Sequence, residues 1–119
     1  KAKYHAAASI LSNQVIAVLD MGYTLLEDCG FTRAEAVRAT GQLVMRNIEN
    51  VLEAGCDGAL TGPIERNDIE TVKKHIACMQ NDDSDDVSLY KMLGTKLANI
   101  AEKKNPDKDY TQMMELLRG

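Results

Sequence analysis

The feature that most constrains the fold of this 119-residue chain is its opening. From about Lys3 to Cys29 there is no proline, Gly22 is the one weak point, and Gly30 follows as a natural C-terminal stop. Between Ala6 and Leu19, apolar residues cover most faces of the helix this stretch would form. A helix apolar nearly all round has to be surrounded, so it is expected at the centre of a bundle. It is not expected to cross a membrane. Ser9, Ser12, Asn13 and Gln14 interrupt the apolar stretch and Asp20 ends it, which leaves it too short and too polar to span a bilayer.

The rest of the chain has to supply the surround. Thr32-Arg33-Ala34-Glu35 is a capping box, in which the threonine hydroxyl caps the amide three residues on and the glutamate reaches back. It opens a second long helix with Val37, Val44, Ile48 and Val51 at helical spacing, and Gly55 ends that helix. A loop from Asp57 to Asn67 contains Gly58, Gly62 and Pro63. Asn67 or Asp68 then caps a third helix striped with Ile69, Val72, Ile76 and Met79. The polar run Asn81 to Asp86 is a loop whose carboxylates favour the next helix start. That fourth helix carries Tyr90, Leu93, Leu97, Ile100 and Ala101 on one face, and Asn105-Pro106 breaks it. A fifth, short helix from about Asp109 to Leu117 holds Tyr110, Met113, Met114 and Leu117. No stretch alternates apolar and polar residues, so the expected fold is all-α: about five helices with a long central first helix, in a single domain over residues 1–119. The chain opens at Lys1 in mid-pattern and reads as the continuation of a longer polypeptide.

Composition narrows the function. Aromatic residues make up 4% of the chain and there is no tryptophan, which suits packed helices better than a β-sandwich. A net charge of −4 with scattered lysines gives no footprint for nucleic acid or anionic lipid. Cys29, Cys56 and Cys78 are odd in number and widely spaced. They read as small buried hydrophobes in a reducing, cytoplasmic setting, with no metal site. There is no G-x-G-x-x-G, no phosphate loop, no zinc-binding His-Glu-x-x-His and no nucleophile elbow, so the chain alone cannot hold a dinucleotide in the usual way.

Two constellations could carry chemistry. Lys1, His5, Ser9, Ser12 and Asn13 recur at steps of three and four and share one face of the first helix. Either they bond neighbouring helices and water, or they line a cleft against another domain. The loop Ala59 to Asp68 has Pro63 directing the chain, with Thr61, Arg66 and Asp68 beside a helix start. It is either a helix connection with a surface ion pair or a shaped loop that offers Thr61 and Arg66 to an anion. Asn47 and Asn50 lie near Val51 and could reach into the interior or a cleft. His75, beside Lys73 and Lys74, fits a solvated face.

In order, Tyr4-His5-Ala6-Ala7-Ala8, Ser12-Asn13, Asn50 and Leu60-Thr61-Gly62-Pro63-Ile64 with Arg66 and Asp68 resemble a domain family of unknown function that follows a Rossmann-like NAD(P)-binding domain. The resemblance covers nearly the whole chain. That domain is similar to the helical C-terminal domains of 6-phosphogluconate dehydrogenase, ketopantoate reductase and pyrroline-5-carboxylate reductase. It implies a substrate-cleft and dimerisation domain of an NAD(P)-dependent oxidoreductase, with the cofactor held mainly by an N-terminal Rossmann domain in cis. The implied catalytic residues are Lys1, His5 and Asn13, and the implied substrate-binding residues are Ser9, Ser12, Asn50, Thr61, Arg66 and Asp68. In the β-hydroxyacid dehydrogenase relatives a Lys and an Asn four residues apart assist catalysis. Lys1 and His5 keep that spacing, with His in place of Asn. Where the family often has Gly after the Arg, this chain has Asn67, which still permits a helix cap.

The expected partners are a second copy, the Rossmann domain and a small-molecule substrate, with neither nucleic acid nor membrane. The alternative is a non-catalytic helical module for dimerisation or metabolite sensing.

Overall fold

The computed structural model describes residues 1–80 and 85–119, so Asn81 to Ser84 of the expected polar loop lie outside the described residues. Among the described residues every regular element is helical, which bears out the all-α expectation. Helix α1 (Ala2–Ser9), a π-helical turn (Ile10–Gln14) and α2 (Val15–Asp28) form one continuous rod. They are followed by α3 (Arg33–Ala59), α4 (Ile69–Met79), α5 (Asp86–Lys104) and α6 (Thr111–Arg118). The chain divides into two compact units, Lys1–Arg46 and Asn47–Gly119.

In the first unit the local signals work as the sequence implies. Gly30, at φ 104°, ends α2 in a Schellman motif: Gly30 N–H donates to the Glu27 carbonyl and Phe31 N–H to the Leu26 carbonyl. The capping box is complete. Glu35 N–H donates to Thr32 Oγ1 at 3.1 Å, and Thr32 N–H donates to Glu35 Oε1 at 2.8 Å. Arg33 pins the corner, with guanidinium nitrogens 3.0 Å from Asp20 and Glu27 and 3.2 Å from Thr24 Oγ1, while its head lies over the Tyr23 ring. Exposed pairs of this kind are each worth little, but together they fix the turn between α2 and α3.

The expectation of a buried first helix is not met. The rod is as long as anticipated, yet no side chain in it is buried, and Ala36 is the unit's sole buried residue. Leu11 is 78% and Leu43 71% exposed, and Val37 is open to solvent too. Periodicity identifies the apolar faces, but it does not say whether this chain or another molecule covers them. The rod spans 27 residues with a mean hydropathy of 1.2 over its most apolar window, so by length and composition alone it could cross a membrane. The length limit drawn from Ala6 to Leu19 therefore does not apply to the helix as a whole.

The second unit holds the core: Ile64, Val72, Ile76, Ala98, Ala101, Tyr110, Met113 and Leu117. Asp68 caps α4 by accepting from Thr71 N–H at 3.2 Å. Asn67 precedes it at φ 59°, a left-handed conformation that Asn tolerates, and its amide donates to the Asp109 carbonyl at 2.9 Å. The Tyr110 hydroxyl donates to the Glu65 carbonyl, and Asn105 Nδ2 donates to both the Tyr110 hydroxyl oxygen (3.0 Å) and Glu65 Oε2 (2.9 Å), which ties the loop before α4 to the start of α6.

Helix α5 meets the core through Gly94, Ala98 and Ala101, not through the leucines of the expected stripe. A Cβ added at Gly94 would lie 2.8 Å from Leu117 Cδ2, so small residues here permit the close approach of α6. Leu93 and Leu97 are therefore left outside the core. The methionine-rich α6 turns Met113 and Leu117 into its own unit, so the unburied apolar surface of the long helices is not matched by a similar excess at the C-terminus.

Candidate functional site

The polar stripe lies on the N-terminal rod. Lys1, His5, Ser12 and Asn13 are exposed and Ser9 is half-buried. Within it, Ile10–Gln14 widens into a π-helical turn, in which backbone bonds close over five residues instead of four. Residues five apart then stand over one another, and Ser9 Oγ duly donates to Gln14 Oε1 at 3.2 Å. Ser12 Oγ donates back to the Ala8 carbonyl at 2.6 Å. Among the described residues, the side chains of Lys1, His5 and Asn13 have neither a hydrogen bond nor an ion pair.

Asn50, Thr61, Arg66 and Asp68 belong to the other unit. Asp68 is engaged at its cap: one oxygen accepts from Thr71 N–H, the other from the Thr71 hydroxyl at 2.7 Å. These bonds, the hydroxyl's first, hold its carboxyl below the usual aspartate range. Arg66 is exposed, its Nη2 a loose 3.9 Å from Asp68 Oδ2. The backbone between them turns tightly, with Arg66 N–H donating to Gly62 O and Asp68 N–H to Pro63 O.

Thr61 borders a hollow of about 230 Å³, with Asn47, Val51, Cys56, Leu97 and Ile100 among its walls. Asn50, one turn from Asn47, does not line it. Gly55 shapes this place: at φ 78° it interrupts α3, so Cys56 to Ala59 leave the helix line. A second hollow of about 320 Å³ is lined by Cys56, Asp57, Ile100, Lys103 and Lys104. Sequence reasoning misses Lys103 and Lys104 and takes Cys56 only for a small hydrophobe. The signal available for this place is the set of apolar residues on α5 beyond those a two-sided core requires.

The cysteines are a correction. All three are exposed, not buried: Cys29 in the turn after α2, Cys56 after the Gly55 break, and Cys78 in the last turn of α4 with its thiol donating to His75 O. His75 is exposed as expected, yet its Nδ1 is 2.9 Å from the Tyr90 hydroxyl and the two rings meet edge to face. Burial first, then the nearby Cys78 thiol, pushes the Tyr90 hydroxyl above its ordinary range. Among the described residues no cluster of His, Cys, Asp or Glu could hold a metal.

Residues 1–97 match the family described as Domain of unknown function (DUF2520), and the chain belongs to that family. The matched stretch includes both the polar stripe and the Leu60 to Asp68 loop. No curated protein and no solved structure matches the chain.

Proposed function

We propose that the chain is the substrate-cleft and dimerisation domain of a cytoplasmic NAD(P)-dependent oxidoreductase, related to the helical domains of the 6-phosphogluconate dehydrogenase, ketopantoate reductase and pyrroline-5-carboxylate reductase superfamily. The observation that carries this reading is the π-helical turn at Ile10–Gln14, which falls on the polar stripe of an uncovered apolar helix. Such turns recur at functional sites, because they re-aim the side chains around them. Ser12 and Asn13 sit in the turn itself.

On this reading the dinucleotide is held outside these helices. Holding the cofactor falls to a Rossmann domain in the same polypeptide. The nicotinamide, when bound there, supplies hydride transfer to a small carbonyl or imine substrate. This chain's share is acid–base and positioning chemistry. The Lys1 ammonium or His5 imidazole moves a proton at the substrate oxygen or nitrogen, while Ser9, Ser12 and Asn13 orient the substrate. Asn50, Thr61, Arg66 and Asp68, all in the second unit, are further substrate-binding candidates, taken by themselves.

The apolar surface of the rod and of the first half of α3 is covered, on this reading, by a second copy in an interface of at least ~1,000 Å². Protein suits that surface better than lipid, because the Asn13 side-chain amide lies mid-helix with no hydrogen bond among the described residues, where a bilayer offers it no partner. The rival reading, a non-catalytic dimerisation or metabolite-sensing module, draws on the lack of any partner that would orient His5.

One experiment separates the two: reduced-cofactor oxidation by the polypeptide carrying both domains, across carbonyl and imine substrates. His5→Gln and Asn13→Ala should each lower turnover ~100-fold with the melting temperature unchanged. Failure of the two-domain protein to bind NADH or NADPH defeats the oxidoreductase reading and leaves the module.

A further inference from the structure

We propose that the groove between the end of α3 and α5 binds a small aliphatic carboxylate. The two hollows of about 230 and about 320 Å³ both have Cys56 and Ile100 on their walls, and the larger is by itself within the size range of small-molecule sites. The first is walled by Val51, Leu97 and Ile100. Leu97 is there because α5 gives its Gly94–Ala98–Ala101 face to the core and leaves the leucine outside.

The second hollow supplies charge. Lys103 and Lys104 stand in the last turn of α5, and the Lys104 ammonium donates to the Leu60 carbonyl at 2.8 Å, which fixes it at the rim without neutralising it. Among the described residues neither lysine is ion-paired. Asp57 shares the rim, so the net charge there is a single positive one. This suits a monoanion better than a phosphate dianion, and no arginine is present to grip a phosphate bidentately. An apolar wall ending in one net cation is complementary to a carboxylate on a short hydrocarbon chain. The site uses neither a dinucleotide nor the N-terminal rod, and it shares Thr61 alone with the oxidoreductase reading, so alkylation of Cys56 tests it separately.

Cys56 provides the test, because it is an exposed thiol on both hollows while Cys29 and Cys78 lie on neither. The chain is alkylated with N-ethylmaleimide in the presence of octanoate, octanol or acetate, and each cysteine is followed by mass spectrometry. Octanoate should slow Cys56 alone, whereas octanol, lacking the charge, and acetate, lacking the chain, should not. Affinity read from the amide shifts of Thr61 and Leu97 should fall about tenfold in Lys103→Glu and in Leu97→Ser, both at exposed positions that leave the core intact. Equal protection by octanol removes the lysines from the site and overturns the proposal. Equal slowing of all three cysteines, or of none, overturns it as well.

Discussion

Residues 1–46 and 47–119 are made of the same material, amphipathic helices with capped ends, and they bury it differently. Of the ten buried apolar residues among those described, Ala36 alone precedes residue 47. The second unit closes its helices over Tyr110, Met113 and Val72, while the first leaves Leu11, Ile16, Leu43 and Met45 in the open. Local folding signals are equally good in both, since the Schellman turn at Gly30 and the Thr32–Glu35 box are as well formed as the Asp68 cap. What differs is the source of cover. The second unit provides its own, and the first leaves its apolar faces exposed, which on the proposed reading a second copy covers.

The largest effect expected from this contrast concerns paired truncations. Met113→Ala opens a cavity in the self-made core and should cost about 2–5 kcal/mol in urea unfolding. Leu43→Ala, on the uncovered side, should change the unfolding of dilute monomer by less than about 0.5 kcal/mol. In sedimentation equilibrium the parent chain should run as a dimer at tens of micromolar on the proposed reading, and the same Leu43→Ala variant should show weakened self-association. A parent chain that stays monomeric there removes the second copy as the cover. A Leu43→Ala loss as large as that of Met113→Ala would erase the contrast itself.

Glycines sharpen the comparison at smaller scale. Gly22 lies inside α2 with nothing within 4 Å of where an added methyl would stand, so Gly22→Ala should stabilise the dilute chain by roughly 0.5–1 kcal/mol through helix propensity. Gly94 lies inside α5, where the same methyl would meet Leu117 Cδ2 at 2.8 Å and Ile64 Cδ1 at 3.2 Å. Both neighbours are buried and have little room to give, so overpacking of about 1–3 kcal/mol should outweigh the helix gain and Gly94→Ala should lower the melting temperature. The two substitutions are chemically identical, and opposite signs are expected. A Gly22→Ala variant that loses self-association would show that the partner packs against that backbone.

The same logic explains which parts of the molecule could be read from the sequence. Helix positions and ends were legible because they follow from short-range chemistry, such as Gly30 at a stop, Thr32 with Glu35, Asp68 before Thr71, and Pro106 after Asn105. Burial was less so. The all-round apolarity of residues 6–19 speaks of cover without naming its source, and the leucine stripe on α5 hid the fact that Gly94, Ala98 and Ala101 make the close contact. Of the candidate site residues, the stripe from Lys1 to Asn13 was visible as a spacing, but the π-helical turn within it was not, since nothing in Ile10-Leu11-Ser12-Asn13-Gln14 distinguishes five-residue from four-residue closure. The α3–α5 groove depends on residues some fifty positions apart, Cys56 beside Lys103, and tertiary proximity of that kind leaves no local trace.

The smallest effect expected lies at the helix caps, and it also tests the two units separately. Glu35 closes the capping box at the start of α3, Asp68 caps α4, and Asp109 accepts from Thr111 just ahead of the α6 cap residue Tyr110. Each carboxyl is held below its ordinary range by bonds it accepts: Glu35 chiefly from the Thr32 amide, Asp68 from the Thr71 hydroxyl and then its amide, Asp109 likewise from Thr111. A carboxyl whose folded pKa lies below its unfolded one favours the folded state fully above the ordinary carboxylate range, and that contribution disappears as the pH falls through the lowered value. Acidification should therefore loosen all three caps. Because these groups are exposed, the change is a shallow slope and not a collapse. Asp68→Asn keeps a capping oxygen but cannot titrate, so it should flatten the acid-side slope of the core's melting temperature. Glu35→Gln should leave that slope untouched and alter only the acid-induced hydrogen exchange of the amides from Thr32 to Ala36, because its cap belongs to the unit that contributes almost nothing to the core. An Asp68→Asn variant with the parent's full acid slope would place the pH dependence elsewhere. A Glu35→Gln variant that shifts the core transition would mean that the two units melt as one.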